Sequence, residues 1–338
     1  MKTGITSYGF YIPQYRIRIK DITKVWGKNA EEIEKGLGVV EKAVATAAED
    51  SLTMAYESSS VALKGHTQPI NALFFGTESP VYAVNPSSTI LGELLGIGNN
   101  YLAYDTQFAC KAATGALISA LALVESKQIK SALVVASDKA TGKPHDALEY
   151  TAASGSVSII VGEKNPILSV DAWESYSSDT PDFWRREGIK YPSHGGRFTG
   201  KPSYFRHIAG SVKALLSKSQ HRPEDFTYAV FHMPNGKFPV QIASQLGFSS
   251  EQIQKSLIVS ELGNSYTASA LMGLVATLEY VKPGEKILFA SYGSGAGSDA
   301  FIFTALPAIE KKRLNFSAKL KEKQYIDYPT YLKCMRII

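Results

Sequence analysis

The chain has 338 residues, of which 44% are hydrophobic and 20% are charged, proportions typical of a globular protein with room for two domains or one pseudo-repeated domain. Its net charge of +5 comes from lysines and arginines interspersed with acidic residues, a pattern that does not indicate nucleic-acid binding and would suit an anionic small molecule. The two cysteines do not suggest a disulfide framework. The sequence has no CxxC or HxxxH metal spacing, no signal-peptide core and no apolar run of about 20 residues, so we expect a cytoplasmic protein without a metal or a membrane span.

Six short apolar runs predict β-strands, and helix-length patterns lie between them. The runs are "ALFFGT" at 72–77, "SALVVAS" at 131–137, "VSIIVG" at 157–162, "YAVFH" at 228–232, "KILFASYG" at 286–293 and "AFIFTAL" at 300–306. Strands that alternate with helices in this way indicate an α/β fold whose sheets are largely buried.

One cysteine, Cys110, lies where a strand-like run gives way to a helical pattern. Asp105 and Thr106 end the run, and Ala, Leu and Ile recur at helical spacing from Lys111 onward. A cysteine at a helix N-terminus is exposed to the positive end of the helix dipole, and Lys111 adds a neighbouring positive charge, so we expect a lowered thiol pKa and a reactive thiolate. The alternative is an inert core cysteine.

An internal repeat relates the two halves of the chain. Residues 108–137 align without a gap to residues 262–291, and the same offset of 154 places 73–78 over 227–232. We therefore expect two halves with one strand and helix plan, residues 1–165 and residues 166–338.

The repeat superposes Cys110 on Asn264 and Glu78 on His232. Each residue stands at the end of a predicted strand or the start of a predicted helix, and equivalent strand ends of two such halves should converge on one cleft. Taken singly, the glutamate could be a solvated loop residue, the histidine a hydrogen-bonded core residue and the asparagine a helix cap. Their joint placement favours an active site.

Seven motifs occur in the order found in one family. They are "GITSYGFYIPQYRI", "VWG", "GTESPVYAVNPSS", "DTQFACKAATGAL", "FHMPNGKFP", "LGNSYTASALMGL" and "SYGSGAGSD". From about residue 4 to residue 306 the chain resembles the thiolase superfamily and, within it, the short archaeal type of 3-hydroxy-3-methylglutaryl-CoA synthase. The resemblance implies a five-layered αβαβα fold made of two pseudo-repeated halves.

The resemblance also implies an acyltransferase of the early mevalonate pathway that condenses acetyl-CoA with acetoacetyl-CoA and water. Cys110 matches the nucleophile that carries the acetyl group, Glu78 matches the base that removes a methyl proton, and His232 matches the residue that positions acetoacetyl-CoA and polarises its ketone. The positions that match the family's acyl and CoA pocket are Thr151, Arg197, Thr199, Lys237, Asn264 and Ser294.

Elementary chemistry fits these roles. A thioester makes its α-protons acidic for a carbonyl compound, and a buried carboxylate with a raised pKa can remove one. Glu78 follows an apolar strand that could bury it, and His232 can donate a hydrogen bond to the ketone oxygen.

The implied partners are acetyl-CoA and acetoacetyl-CoA, with no cofactor beyond these coenzyme A thioesters. The resemblance further implies a homodimer, in a larger complex with an acetoacetyl-CoA thiolase and a small OB-fold acyl-CoA-binding protein. Neither nucleic acid nor a membrane is expected as a partner.

Three alternatives stay open on the sequence. A β-ketoacyl-carrier-protein synthase would share Cys110, His232 and Asn264 but would not need Glu78. A biosynthetic thiolase would use a second catalytic cysteine, whereas Cys334 lies outside any glycine-rich loop and is interpreted as structural. A non-catalytic CoA-binding scaffold would have no reason to keep all four residues.

The glycine-rich "GSGAGSD" at 293–299 leads into a strand and is interpreted as a tight loop beside the acyl chain, not a nucleotide loop.

Overall fold

The computed structural model describes residues 3–338, and the side chain of Arg197 lies outside the described part. The strands are β1 (Gly4–Tyr11), β2 (Tyr15–Arg18), β3 (Glu41–Val44), β4 (Ala72–Gly76), β5 (Leu102–Thr106), β6 (Ser131–Lys139), β7 (Ser154–Gly162), β8 (Leu168–Ser177), β9 (Phe183–Trp184), β10 (Ser193–His194), β11 (Tyr228–Phe231), β12 (Lys286–Ala290), β13 (Gly297–Ala305) and β14 (Gln324–Tyr325). The α-helices are α1 (Ile19–Val25), α2 (Ala30–Leu37), α3 (Ser51–Leu63), α4 (Ser87–Leu94), α5 (Ala112–Glu125), α6 (Arg206–Ser219), α7 (Phe238–Leu246), α8 (Ser250–Gln254), α9 (Val259–Leu262), α10 (Ser269–Leu278), α11 (Phe316–Lys321) and α12 (Tyr328–Cys334).

Nine strands form one continuous sheet in the order β11-β12-β13-β8-β1-β7-β6-β4-β5. The sheet consists of two halves with the same plan, since the first strand of each half, β1 or β8, pairs antiparallel with the last, β7 or β13. The halves join where β1 and β8 pair, at Gly4 with Ser169 and Ile5 with Leu168. The repeat found in the sequence is therefore a repeat of topology.

The two half-sheets enclose a central layer that contains α5 and α10, as the shared apolar cluster of these helices with β1, β6, β7, β12 and β13 shows. The outer face of the first half packs against α3 and α4, and that of the second half packs against α6 and α7. Helices and sheets thus alternate in five layers. Among the described residues, no helix is long and apolar enough to cross a bilayer.

A close approach between β4 and α5 brings two predicted site residues together. A Cβ atom at Gly76, the last residue of β4, would lie 2.5 Å from the backbone nitrogen of Ala113, in the first turn of α5. Only glycine allows this approach without displacing the helix. Glu78 follows the strand by two residues and Cys110 precedes the helix by two, so both lie at this junction.

The C-terminal segment packs beneath the same region. Strands β14, β2 and β3 form a second sheet, and α12 packs on it in an apolar cluster that includes Tyr150, Met233 and Cys334. Met233 directly follows His232, so the C-terminal helix supports a predicted site residue. Cys334 is buried in this cluster, in agreement with a structural role.

Candidate active site

Two turns with left-handed backbone carry Cys110 and Asn264. The preceding residues, Ala109 and Gly263, have φ angles of 45° and 79°. These positions are equivalent under the internal repeat. A left-handed alanine costs free energy, and residues held in such conformations concentrate at functional sites. A Cβ at Gly263 would lie 2.7 Å from the Cβ of Ala153, so glycine is required there on steric grounds as well.

The side chains of Glu78 and Cys110 lie close enough for each to raise or lower the pKa of the other, and Cys110 is buried while Glu78 is partly buried. The Oε1 atom of Glu78 is buried and has no hydrogen-bond partner among the described residues, although other atoms of the residue reach the surface. Burial and, secondarily, the charge of Asp138 raise the pKa of the Glu78 carboxyl to about 8. A carboxyl with this pKa is suited to exchange protons near neutral pH.

The pKa of the Cys110 thiol is raised well above its ordinary value, so the expected lowering is wrong. Burial is the largest cause, followed by the charge of Glu78 and its hydrogen bond to the thiol. The helix begins only at Ala112, and the ammonium of Lys111 is neutralised by a buried ion pair of 2.8 Å with Asp299 Oδ1. The resting form is thus a protonated thiol beside a carboxyl group, and the proton must leave as sulfur attacks.

His232 is buried at the end of β11, and both ring nitrogens lack a hydrogen-bond partner among the described residues. Burial lowers the pKa of the imidazole to about 3, so the ring is neutral at physiological pH. Its backbone carbonyl accepts a hydrogen bond of 2.6 Å from the hydroxyl of Tyr204, and its ring centroid lies 5.9 Å from that of Tyr292. A neutral imidazole in this setting can donate an N–H to a carbonyl oxygen.

A cavity of about 310 Å³ opens onto Cys110. Four of the other sequence-predicted residues line it, namely Thr151, Thr199, Asn264 and Ser294. The backbone N–H of Asn264 donates to the carbonyl of Thr151 at 2.7 Å, which joins the Asn264 turn to the segment that precedes β7 in the other half. Because the Asn264 Oδ1 accepts from the backbone N–H of Tyr266 at 3.0 Å, its amide N–H groups remain available to a ligand.

The two predicted cations are placed differently. Lys237 is exposed at the start of α7. Its neighbours Asn235 and Phe238 line the cavity of about 310 Å³, whereas Lys237 itself does not. Arg197 belongs to a short 3-10 turn, Gly196–Thr199, and its side chain lies outside the described residues. The backbone of this turn nonetheless borders the cavity through Gly196 and Thr199.

A second cavity, of about 870 Å³, opens onto Glu78. Its lining includes Gln107, Asp179, Arg185 and Glu187. The guanidinium of Arg185 donates to the backbone carbonyl of Glu78 at 3.1 Å. The thiol and the carboxyl, which are close enough to affect each other's pKa, thus face two different cavities.

Sequence reasoning missed Asp138, at the end of β6. Its Oδ1 accepts hydrogen bonds of 2.6 to 2.9 Å from Thr77, Ser79 and the backbone N–H of Glu78, and its Oδ2 accepts two from Thr267. One carboxylate therefore fixes the Glu78 turn to the turn that follows Asn264. The sequence did contain a signal for Asp138. When the aligned repeat is extended by one position, Asp138 superposes on Tyr292, which also lies in the site.

Tyr292, the residue that the extended repeat pairs with Asp138, was also missed. It lines the smaller cavity, and its hydroxyl donates to Asp182 Oδ2 at 3.1 Å. Phe183 was also missed, because it lies in β9, a strand of two residues that is too short to show a periodicity in the sequence.

Comparison with known proteins is consistent with this geometry. The N-terminal family model of hydroxymethylglutaryl-coenzyme A synthase matches residues 1–166, and the C-terminal family model of 3-oxoacyl-[acyl-carrier-protein] synthase III matches residues 216–305. The chain is 49% identical over 340 residues to the hydroxymethylglutaryl-CoA synthase of Archaeoglobus fulgidus, covering 99% of each chain. It is 46% identical over 341 residues to that of Methanosarcina barkeri, covering 98% of each.

The fold is likewise similar to a crystal structure of HMG-CoA synthase complexed with CoA. That comparison has a TM-score of 0.90 at 26% sequence identity and covers 99% of this chain and 90% of the other. The thiolase-like α/β fold expected from the sequence is confirmed.

Proposed function

The chain belongs to the hydroxymethylglutaryl-CoA synthase family, and from this premise we propose how its residues perform the reaction. The enzyme condenses acetyl-CoA with acetoacetyl-CoA and water to give 3-hydroxy-3-methylglutaryl-CoA and CoA. In our proposal Cys110 is the nucleophile, Glu78 the proton acceptor and His232 the hydrogen-bond donor to the ketone. The proximity of the Glu78 carboxyl and the Cys110 thiol carries this assignment, since it places nucleophile and base side by side at the junction of β4 and α5.

The first step transfers acetyl from acetyl-CoA to Cys110. As the sulfur attacks the carbonyl carbon, the thiol proton passes to the Glu78 carboxylate, and the bond between that carbon and the CoA sulfur breaks. The leaving CoA thiolate takes the proton from Glu78. This route needs no resting thiolate, which agrees with the raised thiol pKa.

The second step forms the new carbon–carbon bond. Glu78, again a carboxylate, removes a proton from the methyl group of acetyl-Cys110, and the resulting enolate attacks the ketone carbon of acetoacetyl-CoA. The neutral ring of His232 donates a hydrogen bond to the ketone oxygen and stabilises the alkoxide that develops there. The alkoxide then takes the proton held by Glu78. A water oxygen bonds to the thioester carbon, the bond from that carbon to the Cys110 sulfur breaks, and the sulfur receives the proton lost by water as the product leaves.

Incubation with acetyl-CoA alone, followed by intact mass and peptide mapping, tests the nucleophile. We expect one acetyl group on Cys110, none in Cys110→Ala, and normal acetylation in Cys334→Ala, the matched control at the other cysteine. Addition of acetoacetyl-CoA should then convert the acetyl-enzyme to product. Acetylation at another residue would overturn the assignment, and acetyl-Cys110 that never condenses would favour a scaffold or a different acyltransferase.

We also assign the CoA and acyl pocket to the smaller cavity, with Thr151, Thr199, Asn264 and Ser294 in its wall. Arg197 and Lys237 are proposed to bind CoA phosphates. Replacing either by Ala should weaken acyl-CoA binding by about 1 to 3 kcal/mol, with a stronger effect at low salt, while saturated turnover changes less.

The control for these two variants is Lys64→Ala, an exposed lysine at the end of α3. An unchanged Michaelis constant for acetoacetyl-CoA in the Arg197 and Lys237 variants would mean that other residues bind the CoA phosphates.

A homodimer is proposed on the exposure of β5, an edge strand that within residues 3–338 pairs with β4 alone and is partly exposed along its length. Edge-to-edge pairing of two copies would complete its hydrogen bonds. Sedimentation showing an active monomer at micromolar concentration would contradict this proposal.

The resemblance also supports, as proposals, a cytoplasmic location and association with an acetoacetyl-CoA thiolase and a small OB-fold protein. Cell fractionation and affinity purification of the native protein test these two points. Division into halves 1–165 and 166–338 belongs to the same proposal. Because β1 and β8 pair across that boundary, the halves should unfold in one urea transition.

A further inference from the structure

Two cavities meet at the reacting groups, and the same two residues line both. Cys110 faces the cavity of about 310 Å³, and Glu78 faces the cavity of about 870 Å³. Among the described residues, Phe183 and Ser294 border both cavities. These two residues therefore form a partition between the thiol compartment and the carboxyl compartment.

Phe183 is held firmly in this partition. Its ring packs against the cluster of Cys110, Ala140, Ala152 and Tyr266, and it meets the Tyr266 ring edge-on at a centroid distance of 6.2 Å. Its backbone carbonyl lies 3.0 Å from the position that a Cβ of Gly295 would take. Strand β9 thus lies directly on the glycine-rich loop that carries Ser294.

The compartments differ in chemical character. Leu37, Ala147, Leu148 and Phe238 give the smaller cavity an apolar wall. The larger cavity is lined by charged and polar groups, namely Gln107, Asp179, Arg185 and Glu187, beside which water is more stable than beside an apolar wall. A compartment suited to water therefore adjoins the site where the acetyl thioester forms.

Resting on the function proposed above, we propose that Phe183 shields acetyl-Cys110 from the water of the larger cavity and thereby sets the ratio of condensation to hydrolysis. The shielded side reaction is a complete chemical step. A water oxygen bonds to the acetyl carbon, the bond from that carbon to Cys110 sulfur breaks, the sulfur receives the proton lost by water, and acetate leaves. Closed active sites commonly protect reactive intermediates in this way.

Phe183→Ala removes the shared wall and should join the two cavities. With acetyl-CoA alone, we expect acetate release per acetylated enzyme to rise at least about tenfold, equivalent to about 1.4 kcal/mol in the barrier to hydrolysis. With both substrates, a larger share of the acetyl groups should end as acetate. Phe183→Leu, which retains more of the apolar bulk, should give an intermediate ratio.

Trp184→Ala is the matched control. Trp184 is the next residue of β9, is 46% exposed and lines only the larger of the two cavities among the described residues, so its loss should not change the ratio. The ratio is the decisive readout, because general loosening of the fold would lower acetylation and condensation without favouring acetate. Acetyl-Cys110 is quantified by mass in each variant.

An unchanged ratio in an acetylated Phe183→Ala variant overturns the proposal, as does an equal rise in Trp184→Ala. If Phe183→Ala does not fold, Phe183→Leu decides by the same ratio. Absence of acetyl-Cys110 from the wild-type enzyme would instead refute the underlying function. The two failures are therefore distinguishable.

Discussion

Replacing Glu78 by Gln should abolish condensation and, at the same time, stabilise the folded protein. The amide has nearly the shape of the carboxyl group but cannot accept the thiol proton or the methyl proton, so acetyl-Cys110 should form slowly and, once formed, should persist. The stability gain arises because burial raises the pKa of Glu78 to about 8 from an ordinary value of 4.5. Between these two values the unfolded chain loses the proton and the folded chain keeps it, so the stability of the wild type falls as pH rises.

The size of the effect follows from that interval. At pH 7 the side chain is held protonated about two and a half pH units above its ordinary pKa, and each unit costs about 1.4 kcal/mol, so the cost is about 3 kcal/mol. Gln has no ionisation and avoids this cost. The variant should match the wild type near pH 4.5, gain steadily up to pH 8 and gain nothing further above it.

Urea unfolding of both proteins at pH 5, 6, 7 and 8 measures this difference. Glu125→Gln, an exposed residue at the end of α5, is the control and should show no such slope. Deuterium exchange into the methyl group of acetyl-Cys110 measures the chemistry in the same samples. A pH-independent stability difference would refute the raised pKa, and wild-type exchange in Glu78→Gln would show that another group is the base.

Two further predictions concern the same pair of groups. The condensation rate at saturating substrate should fall about tenfold per pH unit below an inflection near pH 8, because only the ionised Glu78 removes the methyl proton, and a flat initial-rate profile from pH 6 to 8 would contradict this. Alkylation of Cys110 by iodoacetamide, followed by peptide mass analysis in a Cys334→Ala background, should still be accelerating above pH 9 because the thiol pKa is raised. A plateau in the alkylation rate near neutral pH would instead show that the thiol pKa is lowered, as the sequence led us to expect.

The layout of the fold and the meeting of Glu78 with Cys110 were predictable because both depend on local patterns. Strand-length apolar runs and small helical residues have fixed periodicities, and a gapless repeat transfers the geometry of one half to the other. The observed α5 and α10 confirm the repeat, as Ala112–Glu125 shifted by the offset overlaps Ser269–Leu278. The close approach at Gly76 then follows from one glycine at a strand end.

The protonation state of Cys110 was not predictable from the sequence, because it depends on partners distant in the chain. The helix dipole and Lys111 were visible locally, but burial, the carboxyl of Glu78 and the capture of Lys111 by Asp299 come from the tertiary fold. Phe183 had no signal at all. Its position is set by packing against Tyr266 and the glycine-rich loop, contacts that no periodicity encodes.

Asp138 links the stability of the site to its chemistry, and Asp138→Asn should change both. In the wild type, donors of the Glu78 turn and of Thr267 bond to the two carboxylate oxygens of Asp138. An asparagine keeps one of these acceptor oxygens and replaces the other by an N–H₂ group, which faces one of the two sets of donors without accepting from it. We expect a loss of about 2 to 4 kcal/mol in the free energy of unfolding, because charge-assisted hydrogen bonds are lost and buried N–H or O–H donors are left pointing at each other.

The pH profile separates the electrostatic effect of Asp138 from its structural one. The charge of Asp138 helps to raise the pKa of Glu78, so its removal should make Glu78 ionise more easily and move the inflection of the condensation rate from near pH 8 to lower pH. Loss of structure alone would lower the rate at every pH and leave the inflection in place. Initial rates at saturating substrate from pH 6 to 9 decide between them. An unshifted inflection in Asp138→Asn would mean that burial alone sets the acidity of the base.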